Sequence, residues 1–368
     1  TNLLRYLYAL SYCKKTFDVL TLHTQMLSSP TYRIIGTILL AGTVVQPLNA
    51  QDGGSTAYNF LNVTSSAKIY GLGGVNISLV DDDINVIDQN PALLGSEMSN
   101  TASVNYMRYL GGSNFAGARY GRSAGERGAW AASIQYFGYG SMKETLPDGS
   151  VVGSFSPKDV AFGGTYSHDI TNRLRGGIAL KALYSGYAEY SAFAIATDLG
   201  INYYDSDRDL SLSVVLANLG GQVKRFNQAY DRLPFDVRLG WSQTFGTFPV
   251  RFSVTAWNLT KWKLPYFETG DGSNSATAVL KEGFMSNLFR HLVFGADLVA
   301  HPNYYISLGY NYKTRTDMST YSRNFLSGFS LGAGLKVKSF GFGIAFAQPH
   351  SGGSTFMLNL GLNIDEIL

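Results

Sequence analysis

The sequence predicts an all-β membrane protein: a 14-stranded up-and-down antiparallel transmembrane β-barrel with an N-terminal plug, or hatch, segment. Three observations predict it. Many short stretches alternate between bulky apolar and small or polar residues, the period of a strand whose successive side chains face opposite sides. The links between those stretches are short at one end and include all the long ones at the other, as on a barrel whose rims face different compartments. A secretory leader precedes both.

Composition narrows the class. The 368 residues include 41 glycines, 14% aromatics and only 15% charged residues, where soluble domains carry about 25% charged. No window of about 18 uninterrupted apolar residues occurs, so a spanning helix is not expected. The net charge of +3 resides in the first fifty residues, where Arg5, Lys14, Lys15 and Arg33 stand against Asp18. The remainder is neutral, without the basic footprint of a nucleic-acid binder. The single cysteine, Cys13, lies in the same leader. Beyond it there is no thiol for a disulfide or a thiolate metal site.

Residues 1–50 read as the leader. "YRIIGTILLAGTVVQPLNA" has Arg33, an apolar run from Ile34 to Val45, and Ala50 before Gln51, which predicts cleavage after Ala50. Met26 offers a translation start, which would make residues 1–25 an upstream extension. "LSYC" is a poor lipoprotein box because Tyr12 is too bulky beside Cys13. Residues 51–100 read neither as leader nor as strand and are assigned to the plug.

Residues 101–368 carry the barrel. Predicted strands cover 101–110, 114–122, 128–139, 159–168, 172–187, 192–204, 209–219, 234–245, 249–259, 290–300, 304–314, 326–338, 340–348 and 355–363. In "FAIATDLGINY", Phe193, Ile195, Leu199, Ile201 and Tyr203 alternate with Ala194, Ala196, Asp198, Gly200 and Asn202. A ring of this size is too wide for its own side chains to fill, so the apolar face is expected to look out into lipid and the inner face to be small and polar. Lipid in turn demands a closed ring, because open edges would leave amides unpaired in hydrocarbon. Tyr136, Tyr139, Tyr184, Tyr187, Tyr203, Tyr204, Trp257, Trp262, Tyr304 and Tyr305 are expected in the interfacial girdles. The long links are 140–158, 220–233, 260–289 and 315–325. A short helix is expected within 275–295, before the tenth strand.

No constellation assembles a nucleophile–base pair, so no enzyme is expected. "GFSLG" (Gly328–Gly332) has the spacing of a nucleophile elbow but lies in a strand with no helix after it. The glycine run Gly71–Gly74 lacks a βαβ unit and is followed by acids, so it reads as a tight bend. Asp81, Asp82, Asp83 and Asp88 could ligate calcium, yet the terminal Glu of an EF-hand is missing, and an arginine-paired turn fits better. His168, His291, His301 and His350 read as rim residues. No cofactor or metal is expected.

The segment Ser65–Leu94 is similar to the N-terminal region of FadL-like outer-membrane proteins, in its glycines Gly71, Gly73 and Gly74, its acids Asp82 and Asp83, and Asn90–Pro91–Ala92. "RHLVFGADL" and "YYISLGYNYKTR" bring it nearest to the PorQ/PorV branch of the type IX secretion system. That resemblance implies a non-enzymatic 14-stranded barrel of the Gram-negative outer membrane with both termini periplasmic. It also implies a surface partner like PorZ, held in an attachment complex with PorU-like and PorV-like proteins that links secreted cargo to lipopolysaccharide. The plug residues carry over as structural positions. A surface anchor would meet its partner through the long loops, where Arg225, Trp262, Tyr266, Phe267 and Tyr321 are the candidate contacts. The alternative is a FadL-like transporter of hydrophobic molecules, against which the small polar inner face would count. A plugged barrel is not expected to be an open porin.

Overall fold

The computed structural model describes residues 56–226, 230–245, 248–268, 279–301, 303–317, 326–350 and 353–367. The leader and Tyr321 lie outside the described residues.

The alternation in the sequence becomes the inside and outside of a wall. In the strand Tyr190–Asp205, Ile195 is 49% exposed and its neighbour Ala196 is 0% exposed. Fourteen strands repeat this pattern and close into one antiparallel barrel. They are β1 (Thr101–Arg108), β2 (Asn114–Ala124), β3 (Gly128–Gly138), β6 (Lys158–Asp169), β7 (Leu174–Tyr187), β8 (Tyr190–Asp205) and β9 (Leu210–Lys224). The ring continues through β10 (Asp236–Thr244), β11 (Val250–Ala256), β14 (Leu292–His301), β15 (Tyr304–Asn311), β16 (Phe329–Val337), β17 (Phe340–His350) and β18 (Gly353–Asn363). β1 closes on β18, with Thr101 opposite Asn363. A large apolar residue turned outward, such as Leu331, Phe342, Ile344 or Leu358, is stable only against hydrocarbon, so the wall is a transmembrane one.

Several boundaries differ from the sequence reading. The long links 140–158 and 260–289 contain hairpins of their own: β4 (Met142–Thr145) with β5 (Val151–Phe155), and β12 (Tyr266–Glu268) with β13 (Val279–Lys281). β9 runs on to Lys224 rather than ending at 219. It absorbs a bulge at Asn218, whose φ is 58°, where its N–H donates to the Asp198 carboxylate at 2.7 Å. The predicted strand 304–314 stops at Asn311, whose side chain accepts the Thr314 N–H at 3.1 Å and starts a helix. The helix expected within 275–295 is confined to Phe284–Arg290.

The segment before β1 lies inside the ring as a chain of short turns. These are Asn59–Asn62, the helix α1 (Ala67–Gly71), Ile84–Asp88, Pro91–Leu93 and Ser96–Met98. Polar caps start three of them: Ser66 accepts from the Ile69 N–H, Asp83 from Asn85 and Asn90 from Ala92. Pro91 follows its cap at the position where proline costs no hydrogen bond. Ile69, Leu72, Leu79, Ile84, Ile87, Leu94 and Met98 form the core of this hatch. In the long links, α2 (Phe284–Arg290) packs near α3 (Tyr312–Asp317).

Candidate functional site: the filled lumen and its outer cup

The hatch fits because the wall is bare where the hatch touches it. A Cβ at Gly177 would stand 2.3 Å from the Pro91 carbonyl carbon, and one at Gly200 would stand 2.1 Å from the Asn90 side-chain oxygen. Asn90 also donates to the Ile77 carbonyl at 2.8 Å. Asn90, Pro91 and Ala92 are thus a capped turn seated on two wall glycines. Gly71 ends α1 against Gly332. Gly73 and Gly74 then turn the chain with φ of 103° and 86°, which only glycine adopts cheaply. A Cβ on Gly309 would fall 2.0 Å from the Gly73 nitrogen.

Charge pins the hatch to the wall, mostly in the half nearer the short links, with Arg238 near the long-link end of β10 as the exception. Lys68 of α1 meets Asp81 at 2.5 Å and Asp297 at 3.6 Å, while Arg251 reaches Asp297 at 2.7 Å. Arg119 of β2 pairs with Asp88 and also donates to Asn85 at 2.8 Å and to Ser65 at 2.6 Å. Arg238 bonds Asp236 and, on the hatch, Gln89 and Asn62. The acidic run thereby divides. Burial opposes the charge on Asp81, but Lys68 and Arg251 outweigh it and hold the carboxyl well below the usual range. Burial pushes the Asp83 carboxyl up, and neighbouring Asp81 adds to this; among the described residues its partners are Ser66 and Asn85, with no cation. Asp82 meets Lys336 at 2.7 Å near the rim.

The half nearer the long links differs, and here the expectation of a small polar inner face is corrected. Met107, Phe115, Phe137, Leu183 and Met357 turn inward from the wall and enclose Phe60 and Leu61 of the first hatch turn. The wall strands taper to apolar residues there because the hatch offers an apolar plug to match them. Above this layer opens a cup of about 670 Å³, lined by Tyr58, Tyr139, Tyr187, Tyr190, Phe226 and Asp231 among others. Tyr139 and Tyr187 are therefore lumen residues, not girdle residues. Tyr305 also turns inward, under the Lys68 ammonium at 4.5 Å from its ring centre.

Among the described rim residues, Trp262 and Tyr266 pack at the end of α2, while Arg225 lies beside the cup. Trp262 stacks on His291 at 5.0 Å. Tyr266 lies under Arg290 at 4.8 Å and touches the Tyr312 hydroxyl at 3.1 Å. Arg225 covers the Tyr230 ring at 5.3 Å, next to the cup. Phe267 lies in β12, and Tyr321 is outside the described residues. His291 is no rim residue: it is 1% exposed, its ring nitrogens against the Trp257 and Trp262 carbonyls at 2.9 and 3.0 Å. Sequence reasoning passed over Arg119, Lys68, Arg251 and Asp297. A charged residue at an inward position of an otherwise small-residue face was the available signal.

A closed ring of even strand number, oily outside and hatched inside, is an outer-membrane β-barrel. No family model and no curated protein matches the chain. Among solved structures it is similar to the toluene transporter TbuX of Ralstonia pickettii, with 11% identity, 83% of this chain and 98% of that chain covered, and a TM-score of 0.50. It is also similar to a deletion mutant (deltaS2S3) of the monoaromatic hydrocarbon channel TodX, with 10% identity, 82% and 100% covered and a TM-score of 0.50. A FadL homologue of Pseudomonas aeruginosa aligns at 13% identity over 82% and 98%, with a TM-score of 0.45. At these identities the likeness speaks to the fold alone.

Proposed function

We propose that this barrel is a non-enzymatic channel that admits a small hydrophobic molecule through the outer membrane, with the hatch as its gate. The apolar outer half of the lumen carries the reading. The hatch is already held by its own apolar core and by ion pairs and hydrogen bonds to the wall, so sealing the ring does not require the inward Phe115 and Phe137 of the outer half. An aromatic cup leading to buried Phe60 and Leu61 is the usual chemistry of a hydrophobic ligand site. Two structural neighbours, a toluene transporter and a monoaromatic hydrocarbon channel, point the same way. The long-link rim is taken to face the exterior and both termini the periplasm. The test is toluene uptake by cells expressing the protein, beside the double variant Phe60→Ala/Leu61→Ala. Uptake above the empty-vector control, raised in the variant, supports the reading. No uptake by either protein removes it.

One observation favours a second reading, the type IX attachment anchor. The rim holds an ordered cap in which Arg290 of α2 bonds Thr316 and Asp317 of α3, while Phe284 and Met285 stay 65% and 63% exposed. A PorZ-like protein would dock there, bringing PorU-like and PorV-like components. Affinity isolation of tagged protein from outer membranes tests this. Recovery of the barrel without any surface protein would end it.

A further inference from the structure

We infer that the outer cup is a binding site for a small organic cation of the quaternary ammonium type. This inference is independent of whether the barrel conducts or anchors.

Behind three residues of the cup's lining, Tyr139, Ser185 and Tyr187, lies a buried carboxyl group. Asp159, at the start of β6, is 1% exposed. Its carboxylate accepts the Tyr139 hydroxyl at 2.6 Å, the Tyr187 hydroxyl at 3.3 Å and the Ser185 hydroxyl. No ion pair to Asp159 is found among the described residues, whereas Asp81, Asp88, Asp198, Asp236 and Asp297 each meet a lysine or arginine; Asp83 of the hatch shares the lack of a cation but lies away from the cup. A second carboxylate, Asp231, lines the cup, and no lysine or arginine is among its described lining residues.

The wall is aromatic. Tyr139 and Tyr187 lie 5.8 Å apart, and Phe226 stands edge-on to Tyr187 at 5.2 Å. The hydroxyl hydrogens of Tyr139 and Tyr187 are committed to Asp159. What these rings offer to the cup is therefore ring faces and oxygen lone pairs, which attract a cation and give an anion no donor. A methylated ammonium, weakly hydrated and without directed hydrogen-bond needs, suits such a wall better than a primary amine does.

Two further observations point to a ligand. Tyr58 lines the cup and is 4% exposed; its buried hydroxyl has no well-formed hydrogen bond, although Gln222 and Ser185 are near. Tyr58 also holds a left-handed backbone, φ 61° and ψ 32°, a conformation unfavourable for a tyrosine. Backbone strain and a poorly bonded hydroxyl at one residue, beside a carboxyl group without a cation, fit a site shaped for something other than its own packing.

The test uses the full-length protein in a maltoside detergent, free of choline headgroups, at constant ionic strength. Calorimetric titration compares choline with 3,3-dimethylbutan-1-ol, its uncharged carbon isostere. Choline is expected to bind at millimolar concentration or below, and the isostere about tenfold more weakly or worse. Asp159→Asn and Tyr187→Leu should each weaken choline about tenfold, while Ser206→Ala at the opposite rim should not. Retained heat-dependent migration on gels shows that each variant is folded. Equal binding of choline and the isostere would overturn the inference and return the cup to neutral ligands, leaving the proposed channel standing. No choline binding, or undiminished binding in both variants, would overturn it as well.

Discussion

At the scale of single residues, the hatch is held by a few buried charges whose removal should be read there and not in the barrel. Arg119→Ala leaves the partly buried Asp88 without its cation, and breaking such a pair costs about 3–5 kcal/mol. The expected outcome is protease cleavage within residues 57–100 of a protein that still migrates as a folded barrel. The two buried acids of the hatch should respond to pH with opposite signs. Asp81 is depressed, so its contribution is complete above the ordinary carboxylate value and is lost as pH falls through its lower folded value. Asp83 is raised, so its ionised form costs stability at neutral pH, and that cost disappears on acidification. Asp83→Asn should therefore protect the hatch at pH near 7, with the gain vanishing near pH 4, whereas Asp81→Asn should weaken it at neutral pH. Hatch proteolysis across pH, with an acid-tolerant protease at the low end, measures both.

At the scale of elements, what was legible was whatever repeats. The period-two pattern of β8 or β17 is a local property, and lipid outside with a filled lumen inside makes every strand obey it. The hairpin β4–β5 was not legible, because both its faces are wet and nothing forces its pattern. The switch from strand to helix at Asn311 was hidden for another reason: one capping side chain decides it. The candidate site was legible only in part. The Asn90–Pro91–Ala92 turn stood out in sequence, but its seat on Gly177 and Gly200 depends on pairing far along the chain. The apolar outer lumen escaped notice because inward Phe115, Phe137 and Met107 are single exceptions on separate strands. Two expectations follow for the wall. Gly177→Ala should loosen the hatch by about 1–3 kcal/mol through overpacking, while Gly164→Ala, with open space beside it, should leave proteolysis unchanged. Leu331→Arg on the lipid side should lower folding yield into vesicles, because a charge turned to hydrocarbon is destabilising.

At the scale of the molecule, both ends of the ring leave by the same rim, since Thr101 and Asn363 are partners on adjacent strands. Orientation can be read with single cysteines, because the sequence has only Cys13 of its own. Ser154→Cys in the β5 hairpin should react with an impermeant maleimide on intact cells, and Ser206→Cys in a short link should react only after the outer membrane is opened. The same seam also dictates an order of assembly. The first and last barrel strands meet across the whole length of the wall sequence, a closure whose chain-entropy cost falls due late. The bond from the Ala67 N–H to Asn359 ties the interior segment to that final strand, 292 residues away. The earliest-made piece must therefore wait for the last before the seam can close and the interior segment can take its final bonds.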